Sequence, residues 1–417
     1  MSRAVGRRTS LDSSDFPVKR LRVGIVYGGR SGEHEISLAS AAAVFANLDR
    51  RRYEPVAIRI EKDGRWVLAD RPPSAASAVE VLDQMRAEPA RIRGGRDIVL
   101  PPQPGDTTLW LVDRPAHTAG EGAPPAETRA LGRTPQAQVP SLTGLALDVV
   151  FPVLHGPYGE DGTLQGLLEL ANVPYVGCGV LASAVGMDKV VMKSVFRERG
   201  LRVPDWVTVR SGSWRADAAT VLDTIERELS YPLFVKPANL GSSVGVSKVR
   251  NRAELGPAID LAAEFDRRIV VECAVADARE IECAILGLDE PRASVPGEII
   301  PSREFYDYGA KYVDTGSRTV IPADLDAAQA ALVQTQALAA FDAVDGAGLA
   351  RVDFLLNRTT GDLYVNEINT MPGFTTISMF AKMWAASGVD YASLIDALIT
   401  FAITRHRDKQ RLRTSAF

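Results

Sequence analysis

Three consecutive segments near the start of the chain alternate between strand and helix character, and this order constrains the fold most strongly. LRVGIVYGG (21–29) is an apolar run that ends in glycines, EISLASAAAVFANL (35–48) carries an apolar helical face, and YEPVAIRIEKDGRWVL (53–68) predicts a strand and then a hairpin. A strand–helix–strand unit normally pairs its two strands in parallel. The sequence therefore predicts a small parallel sheet in an N-terminal α/β domain.

Predicted strands and helices continue along the rest of the chain. Strands are predicted at 147–156, within 231–249, at 267–275 and at 279–287, and helices within 162–177 and at 187–199, 215–229, 324–344 and 388–405. Residues 69–147 are rich in Pro, Gly, Ala and Thr, with only DIVL and TLWLV resembling strands, and we interpret them as a partly disordered insertion. Residues 1–20 are predicted to be a disordered tail, and residues 405–417 a solvated end.

The composition argues against several classes of protein. The chain has 417 residues, 46% hydrophobic and 24% charged, with a formal net charge of -4. This balance gives no reason to expect nucleic acid or an anionic membrane as a partner, and no apolar run approaches the ~18 residues of a membrane helix. The three cysteines and four histidines lack metal-ligand spacing, which disfavours a zinc site and indicates a reducing, cytoplasmic location.

The stretch ARVDFLLNRTTGDLYVNEINTMPG (350–373) predicts a hairpin that closes over residues 358–362. Its predicted cross-strand pairs are Arg351 with Asn369, Asp353 with Glu367, and Asn357 with Leu363. These side chains share one face, because side chains alternate along a strand. Two facing carboxylates destabilise a sheet unless a cation lies between them, and Mg²⁺ prefers such oxygen ligands. The alternative is a protonated carboxyl, or an ion pair of Arg351 with Asp353 on a solvated face.

A phosphate-binding loop is predicted in VKPANLGSSVGVSKV (235–249). The backbone N–H groups of its Gly/Ser segment can surround phosphate oxygens, and Lys236 on the preceding strand can add an ammonium. It is neither a Walker A loop nor a G-x-G-x-x-G fingerprint. The alternative is an ordinary flexible hairpin.

Three further motifs carry candidate functional residues. YGGRSGEHEIS (27–37) places Glu33 at the start of a helix, where a carboxylate suits a substrate ammonium, although helix capping by Glu33 and Glu35 competes. His155 follows a strand at an edge where α/β sheets bind ligands. EFYDYGAKY (304–312) predicts an aromatic lid that carries Lys311.

Six motifs in this order resemble the ATP-grasp superfamily and, within it, the D-alanine–D-alanine ligases. They are GGRSGEHEIS, HGPYGEDGTLQG, GMDK, KPANLGSSVG, EFYDYGAKY and ARVDF…NEINTMPGFT. The resemblance spans about residues 21–68 and 147–400. It implies an α/β (α+β) ATP-grasp fold of three domains, in which a parallel N-terminal α/β domain joins two sheet-containing domains that sandwich ATP. The implied boundaries are 21–180 (with the insertion 69–147), 181–278 and 279–404.

The resemblance also implies nucleotide and metal ligands. The implied ATP-binding residues are Lys189 and Lys236 at the phosphates, Ser242 and Ser243 in the loop, Glu272 and Val275 at the adenine, Glu280 at the ribose, and Lys311 at the γ-phosphate. Asp353, Glu367 and Asn369 are implied to hold two Mg²⁺ or Mn²⁺ ions.

The resemblance further implies the residues that bind the two substrates. Glu33 would bind the ammonium of the first D-alanine, with His155 close by, while Ser242 and Tyr312 would hydrogen-bond with Glu33 and close the lid. The implied oxyanion site consists of Arg351 and the backbone N–H of Gly373. Ser378 and Met379 would receive the carboxylate of the second D-alanine.

The implied activity is ATP-dependent ligation of two D-alanines through a D-alanyl phosphate, for peptidoglycan precursor synthesis by a cytoplasmic homodimer. A D-alanine–D-lactate ligase is the alternative, and Tyr312 in the lid favours the dipeptide. A nucleotide-dependent oxidoreductase is disfavoured by the absence of G-x-G-x-x-G and by the acidic Glu33. A further hypothesis is an ATP-binding module without catalytic activity. The presence of all four residues Arg351, Asp353, Glu367 and Asn369 argues against it. The long insertion and the N-terminal extension depart from the family pattern, and neither interrupts a motif that carries site residues.

Overall fold

The computed structural model describes residues 19–87, 95–104, 107–112, 142–301, 318–375 and 377–413. Within these ranges the strands form three sheets of seven, four and six strands. The first sheet lies within residues 21–152, the second within 206–273 and the third within 278–369.

The first sheet is mixed, with a parallel centre. Its strands and helices are β1 (Leu21–Gly28), α1 (His34–Asn47), β2 (Tyr53–Ile60), β3 (Trp66–Ala69), α2 (Ala78–Ala87), β4 (Gly95–Val99), β5 (Thr108–Val112), β6 (Leu142–Ala146) and β7 (Val149–Pro152). The order is β6-β5-β4-β3-β2-β1-β7, and β1 pairs in parallel with both β2 and β7. The predicted strand–helix–strand unit is confirmed. β1 is buried over Val23–Gly28, as expected for a central parallel strand covered on both faces.

The interpretation of residues 69–147 as an insertion apart from the sheet is wrong for their described part. DIVL and TLWLV form β4 and β5 as predicted, but β6 and helix α2 were missed. These strands extend the first sheet in antiparallel pairs. Ile98, Leu109 and Leu111 are buried in one apolar cluster with Leu164 and Leu168, so the region contributes to the core. Residues 88–94 and 113–141 lie outside the described residues.

The second sheet has the order β10-β9-β11-β8 and is antiparallel. The elements from residue 163 to the end of this sheet are α3 (Thr163–Leu170), α4 (Val180–Met187), α5 (Lys189–Glu198), β8 (Trp206–Arg210), α6 (Ser211–Ala216), α7 (Ala218–Glu228), β9 (Leu233–Pro237), β10 (Ser247–Val249), α8 (Arg252–Ala263) and β11 (Arg268–Cys273). Helix α5 begins after Asp188, whose side chain accepts a hydrogen bond from the Val191 N–H, a common N-cap interaction. The predicted strand–loop–strand of 231–249 is confirmed as β9 and β10.

The third sheet has the order β15-β14-β12-β16-β17, with β13 beside β12. Its elements and the helices that follow are β12 (Ala278–Gly287), β13 (Arg292–Ala293), β14 (Gly297–Ile300), β15 (Arg318–Val320), α9 (Ala327–Ala343), β16 (Gly348–Asn357), β17 (Leu363–Asn369), α10 (Met379–Ala386) and α11 (Tyr391–Gln410). Among the described residues no single helix is long and apolar enough to cross a membrane. Helices α10 and α11, bent by 104° to each other, reach the length and apolar composition of a membrane span only when they are taken together.

The hairpin β16–β17 closes over the predicted turn, but its register changes halfway. Arg351 pairs with Asn369 and Asp353 with Glu367, as predicted. A bulge after Asp353 then moves the partners by one residue, so that Leu356, and not Asn357, lies opposite Leu363. The bulge adds one residue, Asn366, to β17. It leaves the polar face at the open end of the hairpin intact.

The prediction of a solvated end from residue 405 is confirmed for residues 407–413, which are exposed, but not for Arg405 and His406. Helix α11 continues to Gln410, and Arg405 donates hydrogen bonds to the carbonyl oxygens of Gly177 and Tyr175. Lys409 forms an ion pair with Glu169. These contacts satisfy carbonyls that follow the first sheet and fix the C-terminal helix against it.

Candidate active site

The predicted site residues that the structure describes surround two adjoining cavities. The larger cavity, about 410 Å³, lies against the first sheet and the end of β17 and is lined by Glu33, His155, Lys189, Ser242, Arg351, Glu367, Asn369, Gly373, Ser378 and Met379. The smaller, about 140 Å³, lies between the second and third sheets and is lined by Lys189, Lys236, Ser242, Ser243, Glu272, Val275, Glu280, Arg351, Asp353 and Glu367. Four residues of these sets, Lys189, Ser242, Arg351 and Glu367, line both cavities, which therefore form one cleft.

A row of three carboxylates crosses the third sheet beside this cleft. Glu282 on β12 pairs with Asp353 on β16, and Asp353 pairs with Glu367 on β17. Arg351 lies two residues before Asp353 on β16 and donates two hydrogen bonds of 2.7 Å to its carboxylate. The Nε atom of Arg351 also lies 3.2 Å from Glu282 Oε2. Lys189 Nζ lies 3.7 Å from Glu367 Oε2. The predicted alternative, an ion pair of Arg351 with Asp353, is thus present, but on a half-buried face.

The chemistry of this face fits a divalent cation. Among the described residues no group of three His, Cys, Asp or Glu side chains is arranged as a metal site, so the predicted set depends on two carboxylates and the amide of Asn369. Asp353, Glu367 and Asn369 occupy neighbouring positions on one sheet face. Carboxylate and amide oxygens are the ligands that Mg²⁺ and Mn²⁺ prefer.

Two lysines, Lys236 on β9 and Lys193 on helix α5, surround one buried carboxylate of the second sheet. Glu272 is 1% exposed, and its two oxygens lie 2.5 Å from Lys236 Nζ and 2.8 Å from Lys193 Nζ. Burial would raise the pKa of Glu272, but the two lysines outweigh it and lower the pKa to about 2. The same carboxylate raises the pKa of Lys236 against the opposing effect of burial. Lys236 therefore presents a fixed positive charge to the smaller cavity.

The Gly/Ser loop between β9 and β10 reaches across to the first sheet. Ser242 donates a hydrogen bond to Glu33 Oε1, a contact that the resemblance implied. Ser242 and Ser243 have positive φ angles of 53° and 57°, a conformation that costs non-glycine residues of the order of 1 kcal/mol or more. Glu33 precedes α1 but makes no side-chain capping hydrogen bond, and Glu35 instead pairs with Lys62 at 2.7 Å. The capping alternative is therefore not supported for Glu33, whereas Glu35 lies in the first turn of α1.

His155 is buried beneath the larger cavity. Its Nε2 lies 3.1 Å from Ser40 Oγ and its Nδ1 lies 3.2 Å from the Met371 carbonyl oxygen. Burial lowers the pKa of His155, so the ring is neutral at pH 7. It connects α1, the end of β7 and the segment after β17.

The far end of the larger cavity is formed by the start of α10. Ser378 is the residue before this helix, and its Oγ accepts a hydrogen bond of 2.9 Å from the Thr375 N–H. A Cβ on Gly373 would lie 3.3 Å from the same oxygen. A helix N-terminus is a favourable environment for a carboxylate, which suits the predicted place of the second substrate's carboxylate.

Two predicted residues, Lys311 and Tyr312, lie outside the described residues, as does the whole segment 304–312. Conversely, sequence reasoning missed cavity-lining or supporting residues, namely Glu160, Lys193, Glu282 and Lys382. Glu160 stands within the quoted motif HGPYGEDGTLQG, where an acidic residue close to His155 was an available signal. Glu282 and Lys193 come from elements whose pairing is not local in sequence.

Two antiparallel sheets with a lysine-bearing glycine loop on one and an acidic row on the other define an ATP-grasp enzyme. Two protein-family sequence models match the chain: that of the D-ala D-ala ligase N-terminus over residues 22–178, and that of the D-ala D-ala ligase C-terminus over residues 195–400. The chain belongs to the D-alanine–D-alanine ligase family.

Named relatives match over almost the full length. The D-alanine–D-alanine ligase of Heliobacterium modesticaldum is 46% identical over 392 residues, covering 94% of this chain and 97% of that protein. That of Natranaerobius thermophilus is 42% identical over 397 residues, covering 95% and 99%. Among solved structures, the D-alanine–D-alanine ligase from Coxiella burnetii has a TM-score of 0.76 at 36% identity, covering 94% of this chain and 97% of that one. The VanG D-Ala:D-Ser ligase from Enterococcus faecalis has a TM-score of 0.75 at 32% identity, covering 92% and 100%.

Proposed function

We propose that this chain joins two D-alanine molecules into D-alanyl-D-alanine with ATP, releasing ADP and phosphate, as a step in peptidoglycan precursor synthesis. The observation that carries the proposal is the single cleft in which Glu33, two lysines and the acidic row meet. The names of the relatives support the same activity. ATP is the nucleotide that the family uses.

The first step needs a carboxylate to attack a phosphate, and both are anions. In the proposal Glu33 holds the ammonium of the first D-alanine, which directs its carboxylate toward the smaller cavity. Lys189, Lys236 and the predicted Lys311 then offset the repulsion between that carboxylate and the γ-phosphate. The product of this step is a D-alanyl phosphate. Glu280, Val275 and Glu272 keep their predicted places around the ribose and adenine, with Ser243 in the phosphate loop.

Asp353, Glu367 and Asn369 are the proposed ligands of Mg²⁺ or Mn²⁺. A bound divalent ion supplies positive charge that neutralises the phosphate oxygens. The guanidinium of Arg351 forms ion pairs with Asp353 and Glu282. If Asp353 bound a metal ion instead, the guanidinium would be available to the reacting carbonyl.

In the second step the amine of the second D-alanine attacks the acyl carbon, and an oxyanion develops. We assign its stabilisation to Arg351 and the backbone N–H of Gly373, since preorganised donors of this kind typically contribute about 10²–10³ in rate. Ser378 and Met379 at the start of α10 hold the second carboxylate. Ser242 and Tyr312 close the site and exclude water, which would hydrolyse the acyl phosphate.

Other acceptors are the main alternatives, because the same activation step serves a second D-alanine, D-lactate or D-serine. The relatives' names favour D-alanine over D-lactate, while the VanG structure carries a D-Ala:D-Ser title. We further propose that the enzyme acts in the cytoplasm as a homodimer, as the resemblance implies.

A product assay tests the proposal. The purified protein is given ATP, Mg²⁺ and D-alanine, alone and with equal D-lactate or D-serine at neutral pH, and products are identified by mass spectrometry. We expect ADP release that depends on D-alanine, with D-alanyl-D-alanine as the main product in every mixture. A predominant ester or D-alanyl-D-serine would contradict the acceptor assignment, and ADP release that ignores D-alanine would contradict ligation.

A further inference from the structure

Glu160 lines the larger cavity, and it has no role in the proposed reaction as described so far. It lies in the turn between β7 and α3, where its backbone N–H donates to the Gly156 carbonyl oxygen at 3.2 Å and its Oε1 accepts from the Gly156 N–H at 2.7 Å. These two hydrogen bonds with one glycine fix the direction of the side chain. Glu160 thereby faces the larger cavity together with Glu33 and Ser242.

Glu160 and Glu33 approach the same small space from two sides. A Cβ built on Gly241 would lie 3.5 Å from Glu33 Oε2 and 3.9 Å from Glu160 Oε1. A Cβ on Gly156 would lie 2.9 Å from the same Glu33 oxygen. Glycine at these two positions therefore keeps open a space that is bordered by two carboxyl groups.

The charges around this space favour a cation. Burial, and next to it the Glu33 carboxylate, raise the pKa of Glu160, so a positive ligand beside the two carboxyl groups would favour their ionised forms. Lys189 is the nearby positive side chain that acts in the opposite direction on Glu160, and it also contacts Glu367 and the Leu240 carbonyl oxygen. An ammonium group offers three N–H donors, and carboxyl oxygens of both Glu33 and Glu160 border the space.

We propose that Glu160 is a second carboxylate of the ammonium subsite and that it sets the enzyme's affinity and selectivity for a first substrate with a free amino group. The inference rests on the proposed function, since it takes D-alanine as that substrate. Glu33 and Glu160 together hold the ammonium, one from the start of α1 and the other from the turn after β7. The ATP site and the second carboxylate's site do not involve Glu160.

The test compares Glu160→Gln with the wild-type protein in steady-state kinetics over a wide range of D-alanine. Glutamine keeps the size and the hydrogen-bond acceptor but cannot carry the charge. We expect the KM for the first D-alanine to rise about 10- to 100-fold, the range that loss of a charge-assisted hydrogen bond gives. The KM values for ATP and the second D-alanine should change less than about twofold, and the melting temperature should not fall.

Asp161→Asn is the matched control. Asp161 supports the same turn by accepting hydrogen bonds from the Tyr158 and Thr163 N–H groups at 2.9 and 3.0 Å, and it does not line the cavity. It should lower the melting temperature and leave the KM for the first D-alanine within about twofold. A similar rise in that KM for both variants would reduce Glu160 to a structural part of the turn and overturn the proposal.

The two levels of inference fail separately. If wild-type protein makes D-alanyl-D-alanine and Glu160→Gln leaves the KM for the first D-alanine unchanged, the role of Glu160 is refuted and the proposed function stands. If the wild-type protein makes no dipeptide, the proposed function fails, and the role of Glu160 fails with it.

Discussion

Two histidines of this protein are buried as neutral rings. His34 is 3% exposed and its Nδ1 lies 2.8 Å from the Gly29 carbonyl oxygen, so that nitrogen carries the proton. Burial lowers the pKa of His34 and of His155 below the usual 6.5. In the unfolded chain both rings would titrate near the usual value. Between the folded and unfolded pKa values the unfolded state binds more protons, and stability falls as the pH falls.

We therefore expect the free energy of unfolding to decrease as the pH is lowered from 7 to 5, by up to about 1.4 kcal/mol per pH unit for each buried ring. Urea titrations at several pH values measure this slope. In His34→Gln the slope should be shallower, whatever the variant's stability at pH 8. The raised pKa of Glu160 acts in the other direction, so the comparison between variant and wild type is the informative quantity. An unchanged slope in His34→Gln would refute the assignment.

At the same scale, sequence reasoning found the residues whose partners are local and missed those whose partners are distant. Asp353 and Glu367 face each other because one short turn connects their strands, and the alternation of side chains suffices to predict the pair. Glu282 joins them only because β12 pairs with β16, about 70 residues later. Lys193 faces Glu272 from a helix on another part of the chain. Such non-local pairings are not encoded in any local pattern.

Among the elements, the bulge in β17 and the long final helix show where local patterns are insufficient. The alternation of residues 350–369 predicts both strands but not the extra residue Asn366, since a bulge preserves alternation on each side of it. The many basic residues after residue 404 predict a segment exposed to solvent. Its lysine and arginine side chains, however, bind an acidic residue and backbone carbonyls after the first sheet. Those partners are more than 200 residues away.

The contacts of Arg405 give a test of this element. Its guanidinium donates to two carbonyl oxygens and lies 4.5 Å from the centre of the Tyr175 ring. We expect Arg405→Ala to lower the free energy of unfolding by about 1–3 kcal/mol, because the carbonyls lose their partner. Arg411→Ala is the control, since Arg411 forms an exposed ion pair with Asp408 on the surface and should cost less than about 0.5 kcal/mol. Equal effects in urea unfolding would contradict the proposed anchoring.

In the whole molecule, the apolar core connects the first sheet to the C-terminal helices. One buried cluster contains Val23 and Phe45 of the first sheet and its helix, Phe374 after β17, and Phe380 and Leu398 of α10 and α11. The second sheet has a separate cluster, with Val235 and Ile259 among its members. The three-sheet ATP-grasp fold could be predicted from six motifs. The domain boundaries at 180/181 and 278/279 stay predictions, as does the lid at 304–312.

The central claim is that the acidic face of the third sheet binds divalent ions together with a nucleotide. Manganese binding in the presence of a non-hydrolysable ATP analogue, measured by calorimetry for wild type and Glu367→Gln, tests it most directly. Asp362→Asn is the control, because Asp362 pairs with Arg202 outside both cavities.

We expect wild type and Asp362→Asn to bind manganese alike and Glu367→Gln to bind it at least about tenfold more weakly, with phosphate release reduced by about 100-fold or more and the fold retained. Equal manganese affinity in all three proteins, or full turnover by Glu367→Gln, would contradict the account.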